Sequence, residues 1–275
     1  MDKDASEAPT DATPVNVICM KWGDLYGPDY VNNLFNGVKR HLSLPHRFVC
    51  LTDSADGLDP GIEHFPLPGI DIPEGELDLR WRKLTVFKTP LFDLEGTGLF
   101  LDLDVVITGS LDDFFSYPGE FLIIRDDNLA LPKPFRWLNP ARARRLWRVG
   151  NSSVFRFQIG TQPQILEHYL SDPAAVIEDQ PNFREQEFLT EEINDQDILD
   201  YWPKSWCVSY KYHCVPNLGT GFLADPVLPE QARIIIFAGS LSIPDAIAGR
   251  SGHWYRRLGP APWLANAWQE RTTDS

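Results

Sequence analysis

Two acidic side chains lie inside an otherwise apolar run, GLFLDLDVVI, where Asp102 and Asp104 are separated by one leucine. Burying a carboxylate without a partner is costly, so each needs a cation, a hydrogen-bond network or an exit from the core. In an extended chain, residues two apart share one face with Cα atoms roughly 6.6 Å apart. Two carboxylates at this spacing predict a site for Mg²⁺ or Mn²⁺, completed by water and by substrate oxygens such as those of a diphosphate.

A structural interpretation of the same pair is that the two aspartates end a strand and cap the following turn. The position of the run favours the metal site, because it ends a buried strand within an alternating strand and helix pattern. Ligands of open α/β sheets bind at the carboxyl ends of such strands.

The flanking sequence indicates the elements that position this pair. VNVICM (15–20) is apolar throughout, which is typical of a strand buried on both faces of a parallel sheet. Apolar residues then recur at helical spacing over 30–42, and HRFVCLTD (46–53) predicts a second strand. Further helices are predicted over 80–94, 110–115, 141–149, 161–172 and 193–202, and further strands over 98–107, 119–125, 151–159 and 233–239. This alternation predicts an α/β fold.

Length and composition fit one folded domain with short extensions. The 275 residues are 43% hydrophobic and 23% charged, which excludes wholesale disorder. Residues 1–14 predict a disordered acidic tail, 15–252 a single domain, and 253–275 a C-terminal extension.

The charge balance argues against a nucleic-acid partner. Lys and Arg number 25 against 39 Asp and Glu, a net charge of −14, whereas phosphate binding needs an excess of basic residues. Residues 172–200 carry ten acidic side chains and a single arginine, and 133–148 carry six basic ones and no acid. Both stretches fit a solvated surface, and the basic one also fits a phosphate-bearing acceptor or an anionic membrane.

Neither a membrane span nor an export signal is expected, because no apolar run approaches roughly 20 residues and the first residues lack an apolar core. The sequence therefore predicts a cytoplasmic protein with free thiols at its four cysteines, Cys19, Cys50, Cys207 and Cys214. The aromatic stretch 253–268 fits packing on the domain or peripheral contact with the inner membrane face.

Several segments, taken in order, resemble GT-A glycosyltransferases, most closely the retaining enzymes of family 8 and their bacterial relatives. They are the opening strand and loop, Leu51-Thr52-Asp53, Arg82-Lys83-Leu84, FLDLDVVITGSLDDFF, Asn151-Ser152-Ser153-Val154 and Asp195-Gln196-Asp197. The resemblance implies a GT-A (Rossmann-like) single domain with a mixed, mainly parallel central sheet. It also implies retaining transfer of a hexose from a nucleotide sugar, UDP-hexose in particular, to a saccharide or lipid-linked acceptor.

The resemblance implies roles for individual residues. Asp102 and Asp104 are expected to hold Mn²⁺ or Mg²⁺, and Asp195 and Gln196 to contact the donor sugar as the catalytic pair. The other donor-binding residues are Lys21, Trp22 and Tyr26 near the nucleobase, Asp53 at the second strand end, Arg80 and Lys83 near the diphosphate, and Asn151 near the sugar. Each also has a structural interpretation, as a core aromatic, a solvated helix face, a turn or a first helical turn, and Asp112 and Asp113 are assigned to helix capping.

Two positions depart from the family's pattern. Where the family has a third metal-binding histidine and a diphosphate-binding lysine, this sequence has Ile236 and Ile243. Three outcomes remain open: His213 or His253 supplies the ligand, the two aspartates and substrate hold the metal alone, or activity is reduced or lost. The last outcome would make the chain a silent nucleotide-sugar or carbohydrate-binding relative. A sugar nucleotidyltransferase is a weaker alternative, because the loop KWGDLYGPD lacks a glycine-rich basic phosphate motif.

Overall fold

The computed structural model describes residues 14–74, 79–126, 148–180, 182, 184–216, 225–237, 239, 241–250 and 259–269. Its strands are β1 (Val15–Lys21), β2 (His46–Thr52), β3 (Glu63–Pro66), β4 (Thr97–Leu101), β5 (Val105–Ile107), β6 (Phe121–Arg125), β7 (Gly150–Gln158), β8 (Leu199–Tyr201), β9 (Cys207–Ser209) and β10 (Ile234–Ile236). Its helices are α1 (Pro28–His41), α2 (Asp112–Ser116), α3 (Pro163–Ser171), α4 (Pro173–Asp179), α5 (Glu185–Asp195), α6 (Ile243–Ile247) and α7 (Pro262–Gln269), with a 3₁₀ helix at Leu79–Phe87 and a π-helical turn at Tyr210–Cys214.

The central sheet has seven strands in the order β3-β2-β1-β4-β7-β6-β8. β1 pairs in parallel with β2 and β4, β2 with β3, and β6 with β8, while β7 runs antiparallel to β4 and β6. This arrangement confirms the predicted α/β class with a mixed, mainly parallel sheet. It also places the carboxyl ends of β1 and β4 side by side, which is where the two aspartates leave the sheet.

β1 is apolar throughout because both faces of the sheet are covered. Val17 and Cys19 pack on the α1 side, and Ile18 and Met20 pack on the side of the 3₁₀ helix. α1 covers its face with the apolar stripe Val31, Leu34, Phe35 and Val38, and Pro28 at its first turn needs no hydrogen-bonded N–H.

The opposite face of the sheet is covered by the 3₁₀ helix, α3 and α5. Trp81 of the 3₁₀ helix is fully buried and stacks on Tyr169 of α3 with ring centroids 5.2 Å apart. Burying aromatic side chains of this size is worth several kcal/mol each, so the 3₁₀ helix is held firmly against the sheet. The helix predicted over 80–94 is shorter in the structure. It ends at Phe87, before Pro90, which cannot continue a helical hydrogen-bond ladder.

The run GLFLDLDVVI is two strands rather than the single strand predicted. β4 ends at Leu101, the chain turns at Leu103 and Asp104, and β5 begins at Val105 in a separate three-stranded sheet of order β5-β10-β9. The break arises because β5 pairs with β10 instead of extending β4. The two aspartates consequently lie at the turn between two strands and do not share the face of one strand.

Three further predictions are corrected or lie outside the described residues. The predicted helix over 193–202 is wrong, because α5 ends at Asp195 and β8 occupies Leu199–Tyr201 against β6. The capping role predicted for Asp112 and Asp113 is corrected as well, because α2 begins after Leu111 without a side-chain cap. Ser43 donates to Asp112 from both its N–H and its hydroxyl at 2.8 Å, and Asp113 pairs with Arg233 at 2.6 Å. The predicted helix over 141–149 lies almost entirely outside the described ranges, as does most of the basic stretch 133–148.

The C-terminal helix α7 packs into the domain. Leu264 is fully buried and Trp268 is 4% exposed, both within a third apolar core beside β10 and α6. The indole N–H of Trp263 donates to the carbonyl of Pro226 at 2.9 Å. None of the helices in the described ranges is both long and apolar enough to cross a lipid bilayer. The four cysteines are buried free thiols, as predicted.

Candidate functional site

A cleft of about 850 Å³ opens at the carboxyl edge of β1 and β4. Six of the predicted site residues line it: Trp22, Tyr26, Arg80, Lys83, Asp102 and Asp104. The cleft also contains Gly239 and two residues that the sequence did not single out, Asn182 and Arg184, just before α5. Because five separate segments of the chain meet here, the cleft exists only once the sheet and the helices have assembled.

The backbone fixes both aspartates at the mouth of the cleft. The N–H of Asp102 donates to the carbonyl of Ser153 at 2.9 Å, and the carbonyl of Asp104 accepts from the N–H of Phe237 at 3.0 Å. Asp102 is thereby tied to β7 of the large sheet and Asp104 to the segment after β10 of the small sheet. The two carboxylates stay close although no single strand carries them.

Lys83 is the buried cation of the site. Its Nζ lies 2.7 Å from Oδ2 of Asp102, 3.3 Å from Oγ of Ser152 and 3.5 Å from the Ser152 carbonyl. Ser152 in turn donates its hydroxyl to Glu185, which is 1% exposed at the start of α5. Burial opposes the charge on Lys83, but Asp102 and Glu185 outweigh it and raise the pKa of Lys83 above its usual range.

Asp104 carries a charge that its surroundings disfavour. Burial, and then the neighbouring Asp102 carboxylate, raise its pKa to about 7, although Lys83 and a hydrogen bond from Tyr26 act the other way. The Tyr26 hydroxyl lies 3.3 Å from Oδ2 of Asp104. Burial and Asp104 together raise the pKa of Tyr26, so this phenol stays protonated and acts as a donor.

These residues fit a divalent cation at the position that the sequence predicts. Burial and then the neighbouring Asp102 carboxylate raise the pKa of Asp104, and a cation bound by both carboxylates would offset both effects. Within the described ranges, no three His, Cys, Asp or Glu side chains gather to hold a metal by themselves. Asp102 and Asp104 would therefore be the protein ligands, with substrate and water oxygens completing the shell.

Of the two proposed replacement histidines, His213 lies in the described residues and does not line the cleft. Nδ1 of His213 accepts from the N–H of Ser209 at 3.0 Å inside the π-helical turn, and His253 lies outside the described residues. The two isoleucines at the departing positions are core residues: Ile236 is 5% exposed and Ile243 is fully buried.

Lys21 and Asp53 brace the loop after β1 instead of lining the cleft. The N–H of Gly23 donates to Oδ2 of Asp53 at 2.7 Å, and Nζ of Lys21 lies 3.8 Å from Oδ1. Gly23 has a φ of +58°, a conformation that glycine adopts without strain. This bracing presents Trp22 and Tyr26 to the cleft.

Asn151, Asp195 and Gln196 are not brought to the cleft. Oδ1 of Asn151 accepts from the N–H of Ser153 at 2.9 Å, so it stabilises its own turn. Gln196 exchanges hydrogen bonds with Gln164 and the Glu192 carbonyl. Asp195 ends α5, ten residues and about 15 Å of helix after Glu185.

The start of α5 carries a similar pair, an acid followed by a glutamine, next to the Lys83 network: Glu185-Gln186 in place of Asp195-Gln196. Glu185 accepts from Ser152, and Nε2 of Gln186 lies 3.3 Å from the Asp126 carboxylate. Arg184 lines the cleft, and its signal in the sequence is that it is the single arginine of the acidic stretch 172–200.

The fold is that of the GT-A glycosyltransferases. Among solved structures, the galactosyltransferase LgtC in complex with donor and acceptor sugar analogs is similar over 95% of this chain and 98% of that one, with 13% identity and a TM-score of 0.62. An LgtC active-site mutant with glutamine changed to glutamate gives the same coverage and TM-score at 12% identity.

A third similar structure is the apo form of the bifunctional glycosyltransferase WbbM, at 12% identity and a TM-score of 0.55. The match covers 86% of this chain but 48% of WbbM, so the chain spans about half of that protein. No protein-family profile and no curated protein sequence matches the chain.

Proposed function

We propose that the chain is a glycosyltransferase that moves a hexose from a nucleotide sugar, UDP-hexose in particular, to a saccharide or lipid-linked acceptor with retention. The observation that carries this proposal is the cleft in which Asp102 and Asp104 meet the loop bearing Trp22 and Tyr26. The GT-A fold supports it, as does the crystallisation of the similar LgtC with donor and acceptor sugar analogs. We place the reaction in the cytoplasm.

In this proposal Asp102 and Asp104 hold Mn²⁺ or Mg²⁺ together with the donor diphosphate. The bound ion would offset the charge that develops on the departing nucleoside diphosphate. Tyr26 donates to Asp104 and fixes the orientation of its carboxylate, while Lys83 does the same for Asp102. Both carboxylates are thereby oriented before any donor binds, which lowers the cost of assembling the site.

The aromatic side chains of the loop after β1 suit the nucleobase. Trp22 and Tyr26 line the cleft on a loop that Asp53 and Lys21 brace from behind. Stacking of an aromatic ring on a flat base is favourable and needs little reorganisation when the ring is already in place. Asp53 and Lys21 then affect donor binding indirectly, because they hold the loop that carries Trp22 and Tyr26.

For the donor sugar we propose the start of α5. The sequence assigned this role to Asp195-Gln196, at the other end of the helix, and to Asn151. The residues just before Glu185-Gln186 line the cleft. The LgtC structure with an active-site glutamine changed to glutamate is compatible with either glutamine of this chain. Substituting Gln186 and Gln196 one at a time distinguishes the assignment to the start of α5 from the assignment to its end.

Calorimetric titration of UDP, with and without Mn²⁺, is the first test. Binding that needs Mn²⁺, followed by UDP release from one of a panel of UDP-sugars, is expected. Absence of UDP binding under both conditions would contradict the proposed donor, and other nucleotide sugars would then be titrated.

A second candidate function is nucleotide-sugar binding without turnover. Ile236 and Ile243 favour it, because both are buried in the core and neither can bind a metal or a phosphate. Metal-dependent UDP-sugar binding without UDP release, with acceptors present, would support this function over transfer.

A further inference from the structure

The basic side chains of the cleft differ in whether their hydrogen-bond donors are already used within the protein. Lys83 has three N–H donors, and its ammonium has three acceptors within 3.5 Å: Oδ2 of Asp102 and the two oxygens of Ser152. Lys83 is 4% exposed. Its hydrogen-bonding capacity is therefore used inside the protein, and it organises Asp102 rather than offering a free donor to a ligand.

Arg184 is the cation in the described cleft whose donors are not already used. It lines the cleft immediately before α5, half-buried, and it forms no ion pair with a carboxylate of the described residues. Arg80, the other arginine of the cleft, lies close enough to Glu185 for its charge to oppose in part the effect of burial, which raises the pKa of that glutamate. A guanidinium that faces a cleft without an acceptor is suited to an anionic ligand.

The backbone of Arg184 is held in place by the residues around it. The N–H of Asn182 donates to Glu187 at 2.8 Å, the N–H of Glu187 donates to the Arg184 carbonyl at 3.1 Å, and Glu185 accepts from Ser152. The side chain of Arg184 does not cap α5. The structure around Arg184 is thus fixed by its neighbours, while its guanidinium has no structural task in the described part of the chain.

We propose, on the basis of the proposed function, that Arg184 binds an anionic group of the donor in this cleft. The group is either a phosphate oxygen of the diphosphate or the carboxylate of an acidic sugar, and both present the paired oxygens that a guanidinium binds with two parallel hydrogen bonds. Arg184 then supplies the positive charge that Lys83 has already committed to Asp102.

The test compares calorimetric titrations, in Mn²⁺, of uridine, UDP, UDP-glucose and UDP-glucuronic acid into the wild type, Arg184→Gln and Arg184→Lys. Lys88→Gln is the matched control, because Lys88 is an exposed cation that does not line the cleft. Loss of a charge-assisted hydrogen bond predicts UDP binding that is on the order of 10- to 100-fold weaker in Arg184→Gln. Arg184→Lys restores part of it, Lys88→Gln and uridine binding are unchanged, and the melting temperature stays at the wild-type value.

The four ligands separate the two anionic groups. Weaker binding of UDP and both UDP-sugars assigns Arg184 to the diphosphate, and weaker binding of UDP-glucuronic acid alone assigns it to the sugar carboxylate. Equal binding of all four by wild type and Arg184→Gln overturns the inference and leaves the proposed function intact. A wild type that binds none of the nucleotides overturns both.

Discussion

Nζ of Lys83 and Oδ2 of Asp102 lie 2.7 Å apart, and this ion pair joins the 3₁₀ helix to the point where the chain leaves β4. Lys83 is buried, whereas the Asp102 side chain keeps 20% of its surface exposed. A pair of this kind contributes little net stability, because desolvation offsets much of the attraction. Its consequence is geometric: it fixes one oxygen of a carboxylate that faces the cleft.

Lys83→Met should destabilise the protein strongly. The variant fills the same space but leaves Asp102 and Glu185 without their buried cation, and removing one partner of such a pair costs about 3–5 kcal/mol. Urea unfolding at neutral pH measures the loss. Adding Glu185→Gln should recover part of it, because one of the two uncompensated charges is removed.

The control for this series is Lys88→Met, since Lys88 is exposed just beyond the 3₁₀ helix. A surface change of this kind is expected to stay within about 0.5 kcal/mol. A Lys83→Met protein as stable as the control would mean that Asp102 and Glu185 find other partners.

Asp104→Asn should remove most of the transferase activity. The substitution keeps the shape and the contact with Tyr26 but takes away one of the two charges proposed to hold the cation. Loss of one such electrostatic contribution typically costs on the order of 10²–10³ in kcat. UDP release from the preferred donor measures it, with exposed Asp56→Asn as the control. Near-full turnover in Asp104→Asn would exclude this residue from the metal site.

The apo protein should lose stability as the pH rises towards 7. Burial and Asp102 raise the pKa of Asp104 from its ordinary 3.8 to about 7, so between these values the folded state binds more protons than the unfolded state. Stability therefore falls with increasing pH over this window.

Melting temperatures in EDTA from pH 5 to pH 8 test whether stability falls as the pH rises. The wild type should decline relative to Asp104→Asn, which has no proton to lose at this position. Mn²⁺ at pH 8 should then raise the melting temperature of the wild type more than that of the variant, because the ion binds only the folded state. Parallel profiles for the two proteins would contradict the shifted pKa.

The elements that frame the site could be predicted because local patterns encode their burial. The unbroken apolar run of β1 and the helical stripe of α1 each report which faces are covered. The break between β4 and β5 could not, since its cause is the pairing of Val105–Ile107 with Ile234–Ile236, well over 100 residues later in the chain. The two aspartates were recognised by type, while their geometry depends on this long-range contact.

Local patterns were also insufficient at α5. The acidic segment is compatible with a helix over most of its length. The sequence therefore does not determine where the helix begins, or whether Glu185-Gln186 or Asp195-Gln196 lies at its start. Tertiary contacts decide this, because Ser152 and Lys83 engage Glu185. Local patterns accordingly favour Asp195-Gln196 as the sugar-binding pair and indicate no role for Arg184, and both assignments of the glutamine stay predictions.

Gln186→Ala and Gln196→Ala test the two assignments of the sugar-facing glutamine. Gln186 is 8% exposed next to the Lys83 network, whereas Gln196 bonds Gln164 and Glu192 beyond the end of α5. We expect Gln186→Ala to lower kcat more than it weakens UDP-sugar binding, and Gln196→Ala to leave both unchanged. The opposite result would return the catalytic role to Asp195-Gln196.

Trp268→Ala should destabilise the domain and leave its behaviour towards membranes unchanged. Trp268 is 4% exposed, lies 5.2 Å from the ring of Tyr30, and packs α7 against the fold, so truncation leaves a large cavity that costs about 3–5 kcal/mol. Tyr30 contacts Tyr26, which lines the cleft, so UDP affinity should fall as well.

Co-sedimentation with anionic liposomes is expected to be absent for the wild type, because the Trp263 and Trp268 side chains are engaged by the domain. Wild-type sedimentation that is lost in a chain stopped at residue 252 would instead assign this stretch to a membrane surface.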